Sequence, residues 1–112
     1  MAYVREFCGK VVYRIDGDRI CEFEGKCLYR LDGNRLREFA GQTLYFIEDD
    51  RIKEFCGKTV YQVDGNYISS FAGPIKYCID GNTIREFCGK ILYQIDGSIS
   101  RTMLLAIIAI IE

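Results

Sequence analysis

The sequence predicts a mainly β fold: a closed antiparallel up-and-down barrel of about twelve short strands that encloses one C-terminal hydrophobic α-helix. Two observations lead to this prediction. From Arg5 onward the chain divides into six 16-residue hairpin repeats that align without an insertion, and residues 98–112 then replace the repeat with an apolar run. We therefore expect a single repeat-barrel domain over residues 1–112, with a β-meander of six repeats over 1–97 and a central helix over 98–112.

Three invariant columns define the repeat when its positions are numbered 1 to 16 from Arg5. Position 5 is Gly in every unit, and position 13 holds the other glycines except in the third unit, where Asp49 replaces Gly. Each unit thus contains two glycine-centred turns, separated by runs rich in strand-forming residues. The two other invariant columns are Phe at position 3 (Phe7, Phe23, Phe39, Phe55, Phe71, Phe87) and Tyr at position 9 (Tyr13, Tyr29, Tyr45, Tyr61, Tyr77, Tyr93).

The turns predict the strand register. Asp-Gly at positions 12 and 13 indicates a two-residue hairpin loop, because Gly readily adopts positive φ, and this loop pairs position 11 with 14 and position 9 with 16. A second two-residue loop, ending in the glycine of position 5, pairs position 16 with position 9 of the next unit. This register places Tyr at 9 and aliphatic residues at 11 and 16 on one face. Arg, Lys, Gln, Phe and Val share the other face, which holds the Phe column unless a β-bulge redirects it.

Counting strands supports closure of the meander into a barrel. A strand from Tyr3 to Phe7 precedes the first full unit, and the last strand runs from near Lys90 to near Ile95, which gives twelve strands. An even number lets the first and last strands pair antiparallel, as every other neighbouring pair does. Closure removes both strand edges, which would otherwise promote aggregation.

The C-terminal segment predicts the helix. Residues Met103 to Ile111 are apolar throughout, and Ser98 or Ser100 suits an N-cap. The run is too short to span a bilayer, which takes about twenty residues, and a helix that is apolar all round must be buried on all sides. Its length of about 20 Å at 1.5 Å per residue matches a six-residue strand. We expect the helix to fill the barrel; a peripheral membrane anchor is the competing interpretation.

The tandem Y-x-I-D-G-x-x-I-x-E-F-x-G-K hairpins resemble the short symmetric repeat barrels called β-flowers. Twelve antiparallel strands closed around a C-terminal hydrophobic helix also resemble the Tubby C-terminal domain and its LURP-one-related and phospholipid-scramblase relatives. This resemblance implies an association with membranes or lipid headgroups. No site residue is transferred from those families to this chain.

The composition excludes several function classes. The net charge is −1, whereas a generic nucleic-acid binder is strongly basic, so we expect no nucleic-acid partner. The chain contains no His, which removes the commonest general base and the commonest metal ligand. The Glu residues form a symmetric column at position 2, which favours ion pairing at a barrel rim over acid–base chemistry, and the Asp-Gly-Asn segments favour turns over calcium loops. We expect no enzymatic activity, no catalytic residue, no metal and no cofactor.

The cysteines indicate a reducing compartment. No secretory signal is visible at the N-terminus, so we expect a cytoplasmic protein, with a peripheral position at a membrane as an alternative. Cys21 and Cys27 lie across one hairpin, but their repeat positions fall on opposite faces, so we expect no bridge between them. All six cysteines are expected to be reduced: Cys8, Cys21, Cys27, Cys56, Cys78 and Cys88.

Charge is distributed unevenly around the predicted outer face. At the outward positions where the early units carry Arg or Lys, the later units hold Gln62, Tyr67, Cys78, Thr83 and Gln94. Arg85 alone is basic among these later positions. A basic sector predicts docking to an anionic surface, either lipid headgroups or an acidic partner protein, while drift on a solvated face is the alternative. The basic residues of the early units are Arg14, Arg19, Arg30, Arg35, Arg37, Arg51 and Lys53.

Together these observations predict a non-enzymatic binding module whose ligand and oligomeric state the sequence does not specify. The alternative function is a structural or self-assembly protein that buries exposed Phe and Val patches, at positions 3 and 8 of the repeat, in a partner.

Overall fold

A computed structural model describes residues 1–7, 9–87 and 89–111 of the chain. Within these residues, twelve antiparallel strands form a closed barrel in which each strand pairs with its neighbours in sequence and β1 pairs with β12. The predicted fold class is confirmed. The strands are β1 (Ala2–Glu6), β2 (Val11–Asp16), β3 (Arg19–Glu22), β4 (Cys27–Asp32), β5 (Arg35–Glu38), β6 (Thr43–Ile47), β7 (Arg51–Glu54), β8 (Thr59–Asp64), β9 (Tyr67–Ser70), β10 (Ile75–Asp80), β11 (Thr83–Glu86) and β12 (Ile91–Asp96).

The Asp-Gly hairpins close one residue later than predicted. In the first of them Ile15 pairs with Ile20 and Asp16 pairs with Arg19, so Gly17 and Asp18 form the loop. Gly17 has a φ of 65°, which places the left-handed residue first in the loop rather than second. The predicted pairings of position 11 with 14 and of position 9 with 16 are therefore wrong, but the shift changes partners by two positions. Because side chains alternate with a period of two, the predicted buried face is retained.

A β-bulge interrupts every hairpin that turns through Phe-x-Gly. Between β3 and β4, for example, Ile20 pairs with Tyr29 but Cys21 pairs with Cys27, so Leu28 is the additional residue. The bulge brings Val12 and Val60, at position 8 of the repeat, against the core, whereas the predicted alternation placed them outside. The Phe side chains remain outside, with exposed fractions between 43% and 62%.

The same bulge places two cysteines opposite each other. Cys21 and Cys27 form a disulfide, with their Cα atoms 3.7 Å apart, which contradicts the expectation that all cysteines are reduced. The expectation failed because it used an uninterrupted alternation of faces between these two residues. Cys56 and Cys78 are free thiols. The predictions for Cys8 and Cys88 concern residues outside the described part of the chain, and the cytoplasmic location stays a prediction that the thiols no longer support.

Helix α1 (Arg101–Ile111) fills the barrel. It begins later than residue 98, because the Ser100 side chain caps it by accepting a hydrogen bond from the Met103 amide at 3.1 Å. The consecutive residues Leu105 to Ala109 are all buried, so the helix is surrounded on every side. The molecule measures 36 × 33 × 19 Å, and the helix length of about 16 Å matches its shortest dimension.

The barrel wall contributes the rest of the core. The aliphatic residues at position 16 of the repeat belong to the same core cluster as the helix and are completely buried: Ile20, Leu36, Ile52, Ile68 and Ile84. Each buried side chain of this size contributes about 1.5–3 kcal/mol through the hydrophobic effect. The helix is thus part of the folded core, as the barrel interpretation predicted, and it does not project as an anchor.

Replacing Ile108 by Ala tests the energetic role of the helix. We expect Ile108→Ala to lower the free energy of unfolding by about 2–5 kcal/mol, because it opens a cavity beside a fully buried position. Ile75→Ala is the matched control, since Ile75 is 38% exposed and should lose less than about 1.5 kcal/mol. Urea denaturation followed by circular dichroism measures both. A fragment of residues 1–97 that melts cooperatively at the temperature of the full chain would show that the helix is dispensable.

The disulfide is tested by labelling and by stability. Without reductant, iodoacetamide should modify the exposed Cys56 but leave Cys21 and Cys27 unmodified, and prior reduction of the unfolded chain should make both reactive. The double variant Cys21→Ala/Cys27→Ala should lose about 2 kcal/mol of stability, because the closed loop is short. Cys78→Ala, which removes a free thiol, is the control. Peptide mass spectrometry that finds Cys21 alkylated in the unreduced native protein contradicts the bridge.

Candidate functional site

The seven basic residues predicted from the sequence lie on five strands of the outer wall between β2 and β7, and β6 carries none of them. On each strand they alternate with residues that face the core, as Arg14 does with the buried Ile15 on β2. We call the outer face of β2 to β7 the basic wall, defined by Arg14 on β2, Arg19 on β3, Arg30 on β4, Arg35 and Arg37 on β5, and Arg51 and Lys53 on β7.

Three of the seven cations are neutralised locally. Arg37 pairs with Asp32 at 3.5 Å, Arg51 lies 3.6 Å from Glu48 and 3.4 Å from Asp50, and Lys53 lies 4.0 Å from Glu48. The pairing of Arg37 follows a rule of the repeat, in which the cation at position 1 reaches the carboxylate at position 12 of the preceding unit. These residues therefore have a structural partner and contribute less to the external field.

The same rule holds at the β1–β12 seam, where the barrel closes, and in the β10–β11 hairpin. Arg5 on β1 makes a salt bridge of 2.5 Å with Asp96 on β12, and Arg85 on β11 pairs with Asp80 at 3.2 Å. Each of these arginines also donates a hydrogen bond to the carbonyl oxygen of a turn glycine, Gly9 at 3.2 Å and Gly89 at 3.3 Å respectively. The arginine at position 1 thus contacts both the Asp at position 12 of the neighbouring strand and the glycine of the Phe-x-Gly turn that follows its own strand. At Arg5 this contact crosses the β1–β12 seam.

Four arginines of the basic wall have no such partner. Within the part of the chain that the structure describes, no carboxylate lies within 4.0 Å of the guanidinium groups of these residues. The Nε atom of one of them, Arg14, is buried without a hydrogen-bond partner. The four residues are Arg14, Arg19, Arg30 and Arg35.

Strand register places Arg19 opposite Asp16 and Arg35 opposite Asp32, at distances beyond an ion pair, and it also places arginines opposite one another. Arg19 on β3 lies directly opposite Arg30 on β4, and Arg30 in turn lies opposite Arg37 on β5. Directly opposed side chains have Cβ atoms about 4.5–5.5 Å apart, and like charges at that separation are destabilising. An anion placed over β3 to β5 would relieve this repulsion.

Aromatic rings are interleaved with the unpaired arginines. The Arg19 guanidinium lies 5.8 Å from the centre of the Phe39 ring, and the Arg35 guanidinium lies 5.9 Å from the centre of Phe46. Phe46 stacks on Phe55 with ring centres 6.2 Å apart. Phe46 was not among the site residues predicted from the sequence, although it occupies the same repeat position as Arg14 and Arg30.

The opposite side of the barrel has a different character. On the outer face of β8 to β11 an open groove of about 670 Å³ is lined by residues that include Asp64, Tyr67, Cys78 and Asp80. Arg85 also lines this groove, but its guanidinium is held by Asp80. Among the described residues, arginines without a carboxylate within 4.0 Å thus lie on β2 to β5, whereas the arginine in the groove of β8 to β11 is paired.

The barrel interior contains a perturbed tyrosine. Burial raises the pKa of Tyr13 above its ordinary value of 10.0, and the neighbouring Tyr29 and Tyr93 raise it further because two phenolates would repel each other. Position 9 carries Tyr in every unit, and these rings pack against the core around the helix. Core packing accounts for the shift. Among the described residues, no group of three or more His, Cys, Asp or Glu side chains could hold a metal ion.

Comparison with protein-family models, with curated proteins and with solved structures finds no significant match to this chain. Among the described residues, no helix combines the length and the apolar character needed to cross a membrane.

The raised pKa of Tyr13 predicts a loss of stability in alkali. Below pH 10 the phenol is protonated in both the folded and the unfolded chain; as the pH rises above 10, the unfolded chain releases the proton first and becomes favoured. The melting temperature should therefore fall as the pH rises above 10. Tyr13→Phe should make that fall shallower, and Tyr67→Phe, at an exposed ring, is the control. Equal slopes for wild type and Tyr13→Phe in thermal melts would contradict the assignment.

Proposed function

We propose that the protein is a non-enzymatic binding module that docks onto anionic membrane lipids through its basic wall. The observation that carries this proposal is the group of four neighbouring arginines without a carboxylate partner among the described residues. A folded protein ordinarily pairs or disperses such charges, because opposed guanidinium groups repel each other. An anionic lipid headgroup would supply the missing counter-charge.

The residue types suit a lipid surface. A Lys or Arg side chain close to an anionic membrane contributes about 1 kcal/mol, so four of them give about 4 kcal/mol, or a Kd of about 1 mM. Such weak binding needs a further contribution. The exposed Phe39 and Phe55 rings lie in or beside the basic wall and could enter the interface between headgroups and acyl chains.

The resemblance to Tubby-like and β-flower barrels agrees with this proposal, since it also implies lipid headgroups. The second candidate function is self-assembly through exposed hydrophobic residues. It retains support from the exposed Phe column, but the Val residues of position 8 are not available for it, since Val12 and Val60 pack against the core.

Flotation with vesicles tests the proposal. The vesicles contain phosphatidylcholine alone or phosphatidylcholine with phosphatidylserine, and the salt concentration is about 0.1 M or about 1 M, where the Debye length falls from about 10 Å to about 3 Å. We expect binding to the phosphatidylserine vesicles at low salt and release at high salt. The variant Arg14→Gln/Arg30→Gln should bind several-fold less, and it is designed to fold because Gln62 and Gln94 occupy the same repeat position.

The control for charge alone is Lys58→Gln/Lys90→Gln, which removes two exposed cations from the Phe-x-Gly turns, where Gln42 occurs naturally. This control should float like the wild type. Equal flotation of both variants and the wild type would refute a specific role for the basic wall. Oligomers that persist at both salt concentrations in size-exclusion chromatography, with no flotation, would favour self-assembly instead.

A further inference from the structure

An open pocket of about 640 Å³ lies where the barrel wall meets the C-terminal end of the helix. Its apolar lining includes Ala109 and Ile110 of α1 together with Leu44 and Phe55. Polar side chains are also present, and a mixture of an apolar lining with a few polar groups is typical of ligand-binding pockets of this size. These polar residues are Tyr29, Gln42, Thr43, Tyr45 and Glu54.

Some residues that line the pocket vary among the units of the repeat. At position 6 the chain has Gln42, where four other units have Lys and one has Pro. Position 7 is Thr43, whereas the first and the last two units have Val or Ile there. From the helix, Ala109 presents a methyl group where its neighbours Ile108 and Ile110 are large. On the helix side, the methyl group of Ala109 leaves space that a larger side chain would fill.

Aromatic contacts connect this pocket with the basic wall. Phe55 lines the pocket and stacks on Phe46, and Phe46 is covered by the guanidinium of Arg35. Arg35 is one of the arginines without a carboxylate partner among the described residues. A continuous path of Arg35, Phe46 and Phe55 therefore leads from a positive charge without an ion-pair partner among the described residues to the apolar part of the pocket lining.

We propose that the pocket binds the acyl chain of a single anionic lipid whose phosphate contacts Arg35. Glu54 also lines the pocket, and its carboxylate disfavours a phosphate inside, so the chain enters the pocket while the phosphate stays on the outer wall. This inference rests on the proposed function, and it adds that the protein recognises individual lipid molecules as well as surface charge.

Isothermal titration calorimetry with lysophosphatidic acid that carries one myristoyl chain, below its micellar concentration, tests the inference. We expect one molecule to bind per chain. Glycerol 3-phosphate, which has the same phosphate and no chain, should give no binding heat at the same concentrations. Arg35→Gln should weaken the lysophosphatidic acid but leave monomyristoylglycerol, which lacks the phosphate, unchanged.

Two variants fill the pocket. Thr43→Ile introduces the residue that two other units carry at this position, and Ala109→Leu extends the helix side chain toward the opening. Each should weaken lysophosphatidic acid at least about tenfold, as expected when methylene-sized space is removed from a site. Thr59→Ile, the same substitution in the next unit and outside the pocket lining, should bind like the wild type. Circular dichroism melts verify folding, and Thr43→Ile suffices if Ala109→Leu fails to fold.

The outcomes separate the two proposals. Unchanged affinity of Thr43→Ile for lysophosphatidic acid, or no binding to the wild type, would overturn the acyl-chain pocket, whether or not anionic vesicles float with the protein. Normal lysophosphatidic acid binding by Arg14→Gln/Arg30→Gln with unchanged vesicle flotation would instead overturn the role of the basic wall and leave the pocket assignment standing.

Discussion

The structure depends on covering an apolar helix from every side. Helix α1 has buried residues at five consecutive positions, 105–109, so no face of it can meet water. Only a wall that encloses the helix completely satisfies this requirement, and a closed barrel does so without leaving strand edges. The helix needs the barrel for burial and the barrel needs the helix for a packed interior, because twelve strands enclose more space than their own side chains fill.

This mutual requirement constrains the two faces of the wall differently. Inward positions 11 and 16 are aliphatic in every described strand that carries them, from Ile15 and Ile20 to Ile84 and Ile95. Outward positions face solvent, so position 10 of the repeat accommodates Arg, Phe, Gln or Cys without loss of the core. Sectors of the outer wall can therefore differ in charge while the fold stays the same. Arg30 in the basic wall and Gln94 on β12, for example, occupy the same position of the repeat.

The sequence was sufficient for the architecture because its columns report burial directly. The Tyr and Ile columns, the even number of strands and the aperiodic apolar helix predicted the barrel and its contents. It was insufficient for details that depend on one residue of register. The bulge that places Cys21 against Cys27, and the loop that begins at Gly17, both come from backbone geometry that an alternation of faces does not encode.

The candidate site was predictable in composition but not in its pairing. The sequence located all seven cations on the outer face, yet it could not separate Arg37, which Asp32 neutralises, from Arg30, which faces other arginines. The pocket beside Ala109 was not foreseen, because it depends on how the helix end meets β6.

The departures from symmetry are where a function can be located. A barrel of equivalent units presents every outer position in all directions, but a planar partner contacts only one side of it. The molecule is 36 × 33 Å across and 19 Å thick, so a flat surface that approaches the wall meets only a few adjacent strands. The unpaired arginines lie on β2, β3, β4 and β5, which is one such side, and the pocket opens near its edge at Phe55. Selection on one side of the barrel would leave this pattern of a uniform core and a polarised wall.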